Sequence, residues 1–494
     1  KQDMELGRIY THKWLLLSRE APHPPLWLSE PFRLPLTGRV PSEDIQFAAG
    51  LVVDMQAGTA TVSYGVADCF PWFATIPLPL SEIIAAAANE GAPALQPIRP
   101  IPPLPLPAQP LSPQIRVRWD APFSDVSGFA VASRGFARQM VADPGVELFV
   151  RDLSQGERFD PDAFADIYSR IIRNQSAVAQ DPDVTIRIHW PPNFQPPPRG
   201  RLVMYLPWEF EAVPALWVKM LNEWAAEVWV PARFLVDIFA RSGVFHEKLH
   251  VVGHGAPGEA CASPPVAASR SVLQGPKPFR MLFHGGALWR KGLDLLLQAW
   301  ELAFDPSNGV ELIIHCQYGD KDVFNYIDSQ LQRLSPHVAP IRFIREKLGA
   351  KELNELFARV DVVIHSSRSE GFGLGILAAM ARGVPVILPE YGPPTEFVSN
   401  STGFLFPATT ALCTKPPCAP DAMAVFTRDW ETAQPLQWGD YAPASLAAAM
   451  QYAHAHPDEV LERGAAARAH VCRELSWKKV YASMRERLVA LSAE

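Results

Sequence analysis

The sequence predicts an α/β protein with two consecutive doubly wound domains, each built on a parallel sheet. From about residue 114 onward, short apolar runs alternate with stretches of helical periodicity. An Ala-, Ser- and Pro-rich segment at 258–277 interrupts this alternation once. Strands that alternate with helices form parallel sheets, because each helix carries the chain back across the sheet. We therefore expect domains at 114–257 and 278–474, with the default ligand site in a cleft between them.

The elements follow in order along each domain. In the first domain we expect strands at 115–119, 146–150, 184–190, 201–206, 227–230 and 249–252, with helices at 129–140, 161–173, 216–226 and 231–242. In the second we expect strands at 281–284, 310–315, 341–344, 362–364 and 384–388, with helices at 293–304, 326–334, 350–358 and 374–381. A last helix, within 475–494, is expected to cross back to the first domain.

Two further segments precede these domains. Residues 1–91 have the composition of β-strands with turns and predict a small β-rich appendage. Residues 92–113 contain nine prolines, which disfavour helices and sheet ladders and predict an extended linker. The phrases FAAGLVV and VSYGVADC in 1–90 resemble the last blade of five-bladed propeller domains of the glycoside-hydrolase type. A structural appendage without chemistry is the other interpretation of this segment.

Composition and charge exclude several classes of function. A length of 494 residues exceeds what one core supports and predicts two or three domains. The net charge of −7, without a basic cluster, argues against nucleic acid as a partner. No apolar run approaches the roughly 20 residues that cross a bilayer. The chain begins with Lys rather than Met, so an upstream leader or anchor would not be seen.

The cysteines and sequons bear on the cellular compartment. The chain has six cysteines, and Cys413 and Cys418 are close enough in sequence for a loop disulfide. Asn174 and Asn400 begin N-x-S/T sequons. Together these features favour a secretory lumen, Golgi or ER. A cytoplasmic location is the alternative.

One stretch, 361–389, combines features of a phosphate site. An apolar strand at 362–364 leads into a polar loop at 366–373, a helix at 374–381 and a second strand. Parallel sheets bind ligands at the carboxyl ends of their strands. Free N–H groups at a helix start favour a phosphate.

Several spaced motifs resemble one enzyme family. The segment SRSEGFGLGILAAMARGVPVI resembles the donor-site signature of retaining GT-B glycosyltransferases of family GT4. FHGGALWRKGLDLLLQAW, GPPTEF and TGFLF are similar to neighbouring motifs of that family, and SGFAVASRGFARQM, HWPPNF, LPWEF and VWVPARFL resemble one bacterial-type branch. The resemblance covers about 115–494. It implies a GT-B fold whose second domain binds a nucleotide-sugar donor and whose first domain binds the acceptor.

The resemblance also implies roles for individual residues. Arg290 and Lys291 are expected to stabilise the leaving diphosphate, and Glu370 to bind hydroxyls of the donor sugar. The remaining donor-binding candidates are Gly128, Gly286, Gly371, Phe372, Gly373, Leu374 and Glu396. The alternatives are solvated charges at 290 and 291, a helix-capping carboxylate at 370 and a plain turn glycine at 128.

The first domain contributes candidates for the reacting centre and the acceptor. His189 and Glu209 follow predicted strands and are candidate catalytic residues. Trp190 and Trp208, beside them, suit stacking on a sugar ring. For each of these four residues, the alternative is a purely structural role at the edge of a strand or in a core. His365, within an apolar strand, is expected to be a core residue.

Two positions depart from the family pattern. The second signature glutamate, which binds the ribose hydroxyls in the family, is replaced by Ala378. Loss of a charged hydrogen bond costs on the order of 1.5–3 kcal/mol and should weaken donor binding. A family arginine is replaced by Gly286, for which Arg290 could compensate.

The function expected from the sequence is retaining, metal-independent sugar transfer from a UDP- or GDP-linked donor to a glycan, protein or lipid acceptor. No DxD motif lies on a suitable loop, because Asp320 and Asp322 lack the setting, and no cofactor is expected. The alternative is a degenerate GT-B module that binds carbohydrate or a protein partner without turnover. A phosphorylase or epimerase on the same fold is a third possibility.

Overall fold

In the computed structural model, strands are described at 15–17, 25–28, 46–54, 59–66 and 70–77. From residue 115 onward, the described residues are 115–125, 127–154, 181–263, 278–316, 319, 321–333, 337–346, 348–413 and 436–493. The predicted linker at 92–113 and the predicted helix at 161–173 lie outside them.

The β-rich segment contains antiparallel strands. β1 (Leu15–Leu17) pairs with β2 (Pro25–Leu28). β3 (Gln46–Asp54), β4 (Thr59–Val66) and β5 (Phe70–Pro77) form a three-stranded meander. This matches the alternating apolar pattern and the short turns of that region.

The first α/β domain has a six-stranded parallel sheet. Its strands are β6 (Ile115–Ala121), β7 (Val146–Asp152), β8 (Val184–Arg187), β9 (Arg201–Tyr205), β10 (Glu227–Val230) and β11 (Leu249–Val251), in the order β11-β10-β9-β8-β6-β7. Its helices include α1 (Gly128–Ala142), α2 (Ala215–Trp224) and α3 (Arg233–Arg241). β8 ends three residues earlier than predicted, and a cis bond joins Trp190 to Pro191 shortly after it.

The second α/β domain follows a short helix, α4 (Gly258–Ala262). Its six parallel strands are β12 (Phe279–His284), β13 (Val310–His315), β14 (Ile341–Ile344), β15 (Val362–Ile364), β16 (Val386–Pro389) and β17 (Phe404–Phe406). Across the sheet their order is β14-β13-β12-β15-β16-β17. The chain adds strands on one side of β12 as far as β14 and then, from β15 onward, on the other side, so the strand order reverses between β12 and β15. The helices are α5 (Leu293–Ala303), α6 (Lys321–Arg333), α7 (Ala350–Ala358) and α8 (Leu374–Ala381). The predicted fold class is confirmed.

The end of the chain ties the two domains together. β18 (Thr409–Leu412) pairs with β19 (Gln437–Asp440), and α9 (Pro443–Ala455) and α10 (Pro457–Glu474) follow. α11 (Trp477–Ala493) then packs in the core of the first domain. Its Trp477 ring lies so close to Gly135 that a Cβ there would come within 2.3 Å of it. Among the described helices, none is long and apolar enough to span a membrane.

A disulfide joins Cys261 of α4 to Cys472 of α10, 211 residues later. Sequence spacing did not indicate this pair. Cys413 is also disulfide-bonded, but Cys418 lies outside the described residues, so the predicted loop disulfide stays a prediction.

Candidate active site

The candidate site lies where the strand order of the second sheet reverses. The loops after β12 and β15 leave adjacent strands on either side of that reversal, which is where doubly wound sheets bind nucleotides. The first loop contains a 3₁₀ turn, Trp289–Lys291, and the second contains Glu370. Several hydrogen bonds join the loops; among them, the Arg368 N–H donates to the Arg290 carbonyl at 2.7 Å, and the Ser366 hydroxyl donates to the Lys291 carbonyl at 2.9 Å.

Glu370 lies at the centre of a charge cluster. Lys291 forms an ion pair with its carboxylate, and the Ser367 hydroxyl donates to it at 2.8 Å. His365 Nε2 lies 3.1 Å from the same oxygen, and an Arg290 nitrogen lies 3.8 Å from the other. Only 10% of the Glu370 side chain is exposed, so these charges interact with little screening by water.

The protonation states follow from burial and from these neighbours. Burial alone would raise the pKa of Glu370, but Lys291, His365 and Arg290 together hold that pKa well below its usual range. Burial lowers the pKa of Lys291, although Glu370 opposes the change. Burial likewise lowers the pKa of His365. At neutral pH Glu370 is therefore ionised.

The first domain closes the site from the other side. An oxygen of Glu209 lies 2.9 Å from a guanidinium nitrogen of Arg290, so this predicted residue joins the cluster across the cleft. A Cβ on Gly371 would come within 2.9 Å of the Pro207 side chain, so glycine permits this close approach.

Two helix starts lie close together at the same place. A Cβ on Gly128, the first residue of α1, would lie 3.6 Å from the Leu374 side chain, the first residue of α8. Gly373 precedes α8 in the left-handed region, with φ +107°. The first N–H groups of each helix have no partners within the helix, and both dipoles favour an anion between them.

The other predicted donor residues lie around this point. Phe372 is 6% exposed and packs against Phe397 with ring centroids 5.1 Å apart. Its backbone, rather than its ring, is therefore the part that a ligand could reach. Gly286 lies buried in the loop between β12 and the 3₁₀ turn, and its carbonyl accepts from the Leu288 N–H at 3.0 Å.

Glu396 has partners other than the donor loop. Its carboxylate accepts hydrogen bonds from the backbone N–H groups of Arg233, at 3.1 Å, and Phe234, at 2.7 Å. These residues begin α3, so a carboxylate of the second domain caps a helix of the first. The predicted contact with the donor phosphate stays a prediction.

Replacing Glu396 separates these two roles. We expect Glu396→Ala to destabilise the protein by about 1 kcal/mol through loss of the cap, with donor affinity nearly unchanged. Thermal melting and donor titration measure the two effects, with Glu390→Ala, an exposed carboxylate, as control. Weaker donor binding at an unchanged Tm would instead support the predicted donor contact.

Of the residues predicted for the acceptor side, one is a core residue, one is half-buried and one lines a cavity. Trp208 is 2% exposed, and its Nε1–H donates to the Ala212 carbonyl at 2.9 Å. It is therefore a core residue, which was the alternative to stacking on a sugar. Trp190 is half-buried, with its ring centroid 5.8 Å from that of Trp217. His189 lines a cavity of about 670 Å³ at the carboxyl ends of β6 and β8. Among the described contacts, none joins His189 to Glu370.

His365 is one of the site residues that the sequence did not predict. Its position within an apolar run indicated a core residue, and its ring is indeed mostly buried. The structure adds its contact with Glu370, which depends on how the following loop folds back. No sequence signal distinguishes this histidine from one with only core contacts.

Comparisons with known proteins agree with this geometry. Residues 278–415 match the family model of glycosyl transferases group 1. The structure of HepE from Anabaena in complex with UDP and glucose superposes with a TM-score of 0.54 at 14% identity, over 76% of this chain and 100% of that one. Sucrose-phosphate synthase from Thermosynechococcus elongatus superposes with a TM-score of 0.52 at 15% identity, over 77% and 100%.

The fold is GT-B. Curated relatives are similar in sequence to this chain over shorter segments. The GtfA subunit of a UDP-N-acetylglucosamine–peptide N-acetylglucosaminyltransferase of Streptococcus pneumoniae is 28% identical over 140 residues, 28% of this chain and 26% of that protein. A GDP-mannose-dependent alpha-mannosyltransferase of Mycobacterium tuberculosis is 41% identical over 58 residues, 12% and 15%. The chain thus spans about a quarter or less of each of these two relatives. These similarities give no support to the propeller resemblance of residues 1–90.

Proposed function

We propose that this chain transfers a sugar from a UDP- or GDP-linked donor to an acceptor, with retention of anomeric configuration and without a metal ion. The observation that carries the proposal is the cluster at the switch point, where Arg290 and Lys291 face Glu370. The family match of residues 278–415 and the GT-B fold support it.

The cluster suits the departure of a nucleoside diphosphate. Negative charge grows on the diphosphate as the glycosidic bond breaks, and fixed cations lower the energy of that state. Arg290 and Lys291 are held in place by their ion pairs and by the backbone bonds of their loop. The helix starts at Gly128 and Leu374 add partial positive charge. These groups support the proposal that transfer proceeds without a metal ion.

Glu370 and Glu209 fit roles beside that charge. Glu370 is ionised and can accept hydrogen bonds from sugar hydroxyls once the donor displaces part of its contact with Lys291. Glu209 reaches the cluster from the first domain, on the side from which an acceptor would approach. Retention is proposed from the family resemblance.

The acceptor side of the proposal rests on the cavity beside His189. Its lining combines aromatic surface, Trp217 and Trp224, with charged groups, Asp120 and Arg187. Such a mixture suits a polar acceptor with an apolar face, as sugars have. We further propose a disulfide-permissive compartment, which the Cys261–Cys472 pair supports.

The alternative is a degenerate GT-B module that binds carbohydrate or a protein partner without turnover. It is favoured by Ala378, which leaves the exposed side of α8 without the family's second carboxylate. Transfer activity separates the two proposals, because a binding module shows none.

A donor panel tests the proposed function. We expect hydrolysis of, or transfer from, at least one member of a set of UDP- and GDP-sugars, with a large loss in Glu370→Ala and in Lys291→Ala. NMR of the product anomer measures retention, and activity in a chelator measures metal independence. If wild type and both variants are equally inert toward every donor, the proposal is wrong.

A further inference from the structure

Two histidines end adjacent strands beside the candidate donor site. His284 is the last residue of β12, and His315 is the last residue of β13. Their ring planes are nearly parallel, inclined by 10°, and the ring centroids lie 4.9 Å apart. Their Nδ1 atoms lie 2.9 Å from each other, and His315 Nε2 lies 3.2 Å from the Glu346 carbonyl oxygen.

This chain of contacts determines which ring nitrogens have protons. A carbonyl oxygen only accepts, so His315 Nε2 has the proton and donates it to Glu346. Burial lowers the pKa of His315, and burial, with His315, Arg382 and Lys291 adding to it, lowers the pKa of His284 to about 3. Both rings are therefore neutral at pH 7. Nδ1 of His315 then accepts from Nδ1–H of His284, which leaves His284 Nε2 as a hydrogen-bond acceptor.

The position of this acceptor matters. A sheet with this strand order binds its nucleotide outside the carboxyl ends of the strands at the reversal. His284 ends β12, one of the two strands at that reversal, and lies beside His315 of β13. No described residue forms a hydrogen bond with His284 Nε2, and the residue is partly exposed.

The neighbouring face of α8 supplies no carboxylate. Gly375 and Ala378 lie on its more exposed side, and a Cβ on Gly375 would lie 3.9 Å from the His284 carbonyl. Arg382 on the same side donates to the Ala378 carbonyl at 2.8 Å and to Asn354 Oδ1 at 2.6 and 3.0 Å. Its guanidinium is therefore engaged by the protein, and an arginine side chain only donates. The imidazole of His284 is thus an available acceptor beside this face of α8.

We propose that His284 Nε2 accepts a hydrogen bond from a ribose hydroxyl of the nucleotide, in the place of the missing carboxylate, and that His315 is a positioning residue that fixes its tautomer. This inference rests on the proposed function, since it names how the same donor site binds its nucleoside. It makes the site selective for ribonucleotides over deoxyribonucleotides.

Calorimetric titration with UDP, GDP and their 2′,3′-dideoxy forms tests the inference. We expect wild type to bind the ribonucleotide about threefold to tenfold more tightly than its dideoxy form, as one neutral hydrogen bond allows. His284→Leu should remove this preference without weakening binding of the dideoxy form. His246→Leu, at an exposed histidine of the first domain, should leave the preference unchanged.

Three further variants exclude a purely structural effect. His284→Gln, which retains a neutral acceptor, and Ala378→Glu combined with His284→Leu should each restore the preference. His315→Phe retains an aromatic ring but removes the tautomer constraint, and it should reduce the preference in part. A Tm for each variant shows whether it is folded.

The outcomes separate this inference from the proposed function. If the enzyme transfers sugar but His284→Leu keeps the ribose preference, the inference alone is wrong. If Glu346→Gln removes the preference instead, the ribose is bound by the Glu346 carboxylate and the inference is also wrong. If wild type binds no nucleotide and transfers no sugar, the proposed function fails, and the inference fails with it.

Discussion

Lys291→Ala is expected to lower the rate of sugar transfer by about 10²–10³-fold, the usual loss when one fixed stabiliser of developing charge is removed. Two effects act together. The diphosphate loses its buried cation, and Glu370 loses the ion-pair partner that lowers its pKa most strongly. Arg290 remains near, 3.8 Å from Glu370, so activity should fall without disappearing.

Steady-state kinetics with the donor found in the panel measure this loss. A loss mainly in kcat supports a role in the departure of the diphosphate, whereas a rise in KM alone supports ground-state binding. Lys351→Ala is the matched control, because Lys351 is an exposed lysine on α7. A rate within threefold of wild type for a folded Lys291→Ala enzyme would contradict the assigned role.

Gly292→Ala is expected to cost both stability and activity. Gly292 has φ +66°, and a Cβ there would come within 2.0 Å of the Ser366 carbonyl oxygen. The left-handed conformation alone costs about 1–3 kcal/mol for a non-glycine residue. The clash adds to this cost, because it pushes the loop after β15 away from the loop after β12. Lys291 and Glu370, which lie on these loops, should separate.

Gly309→Ala is a close control for this variant. Gly309 has nearly the same conformation, φ +65°, and a Cβ there meets nothing within 4 Å. It should therefore show the conformational cost alone and retain full activity. Thermal melting and donor turnover of the two variants measure the difference. If both lose the same stability and neither loses activity, the contact between the loops does not position the site.

Much of the site lies in loops that local patterns predict. Arg290 and Lys291 follow one predicted strand, and Glu370 follows another, and the structure brings all three together. Parallel strands place such loops at one edge of a sheet, so their proximity follows from the fold class. Glu209 also joins them, although its contact depends on how the two domains close.

Other contacts could not be predicted from local patterns. Trp208 has the same aromatic character whether it stacks on a sugar or fills a core, and only its burial assigns it to the core. Glu396 reaches a helix start more than 160 residues earlier in the chain. The capped backbone groups have no side-chain signature, so no motif indicates them.

The sequence by itself determined the two parallel sheets, most of their strands and the loops that hold the donor candidates, because these depend on hydrophobic period and on residues close in the chain. Only the tertiary structure decided the disulfide between Cys261 and Cys472 and the pairing of His284 with His315. Each of these joins residues that are far apart in sequence. Strand order and domain closure bring them together, and neither can be derived from local preferences.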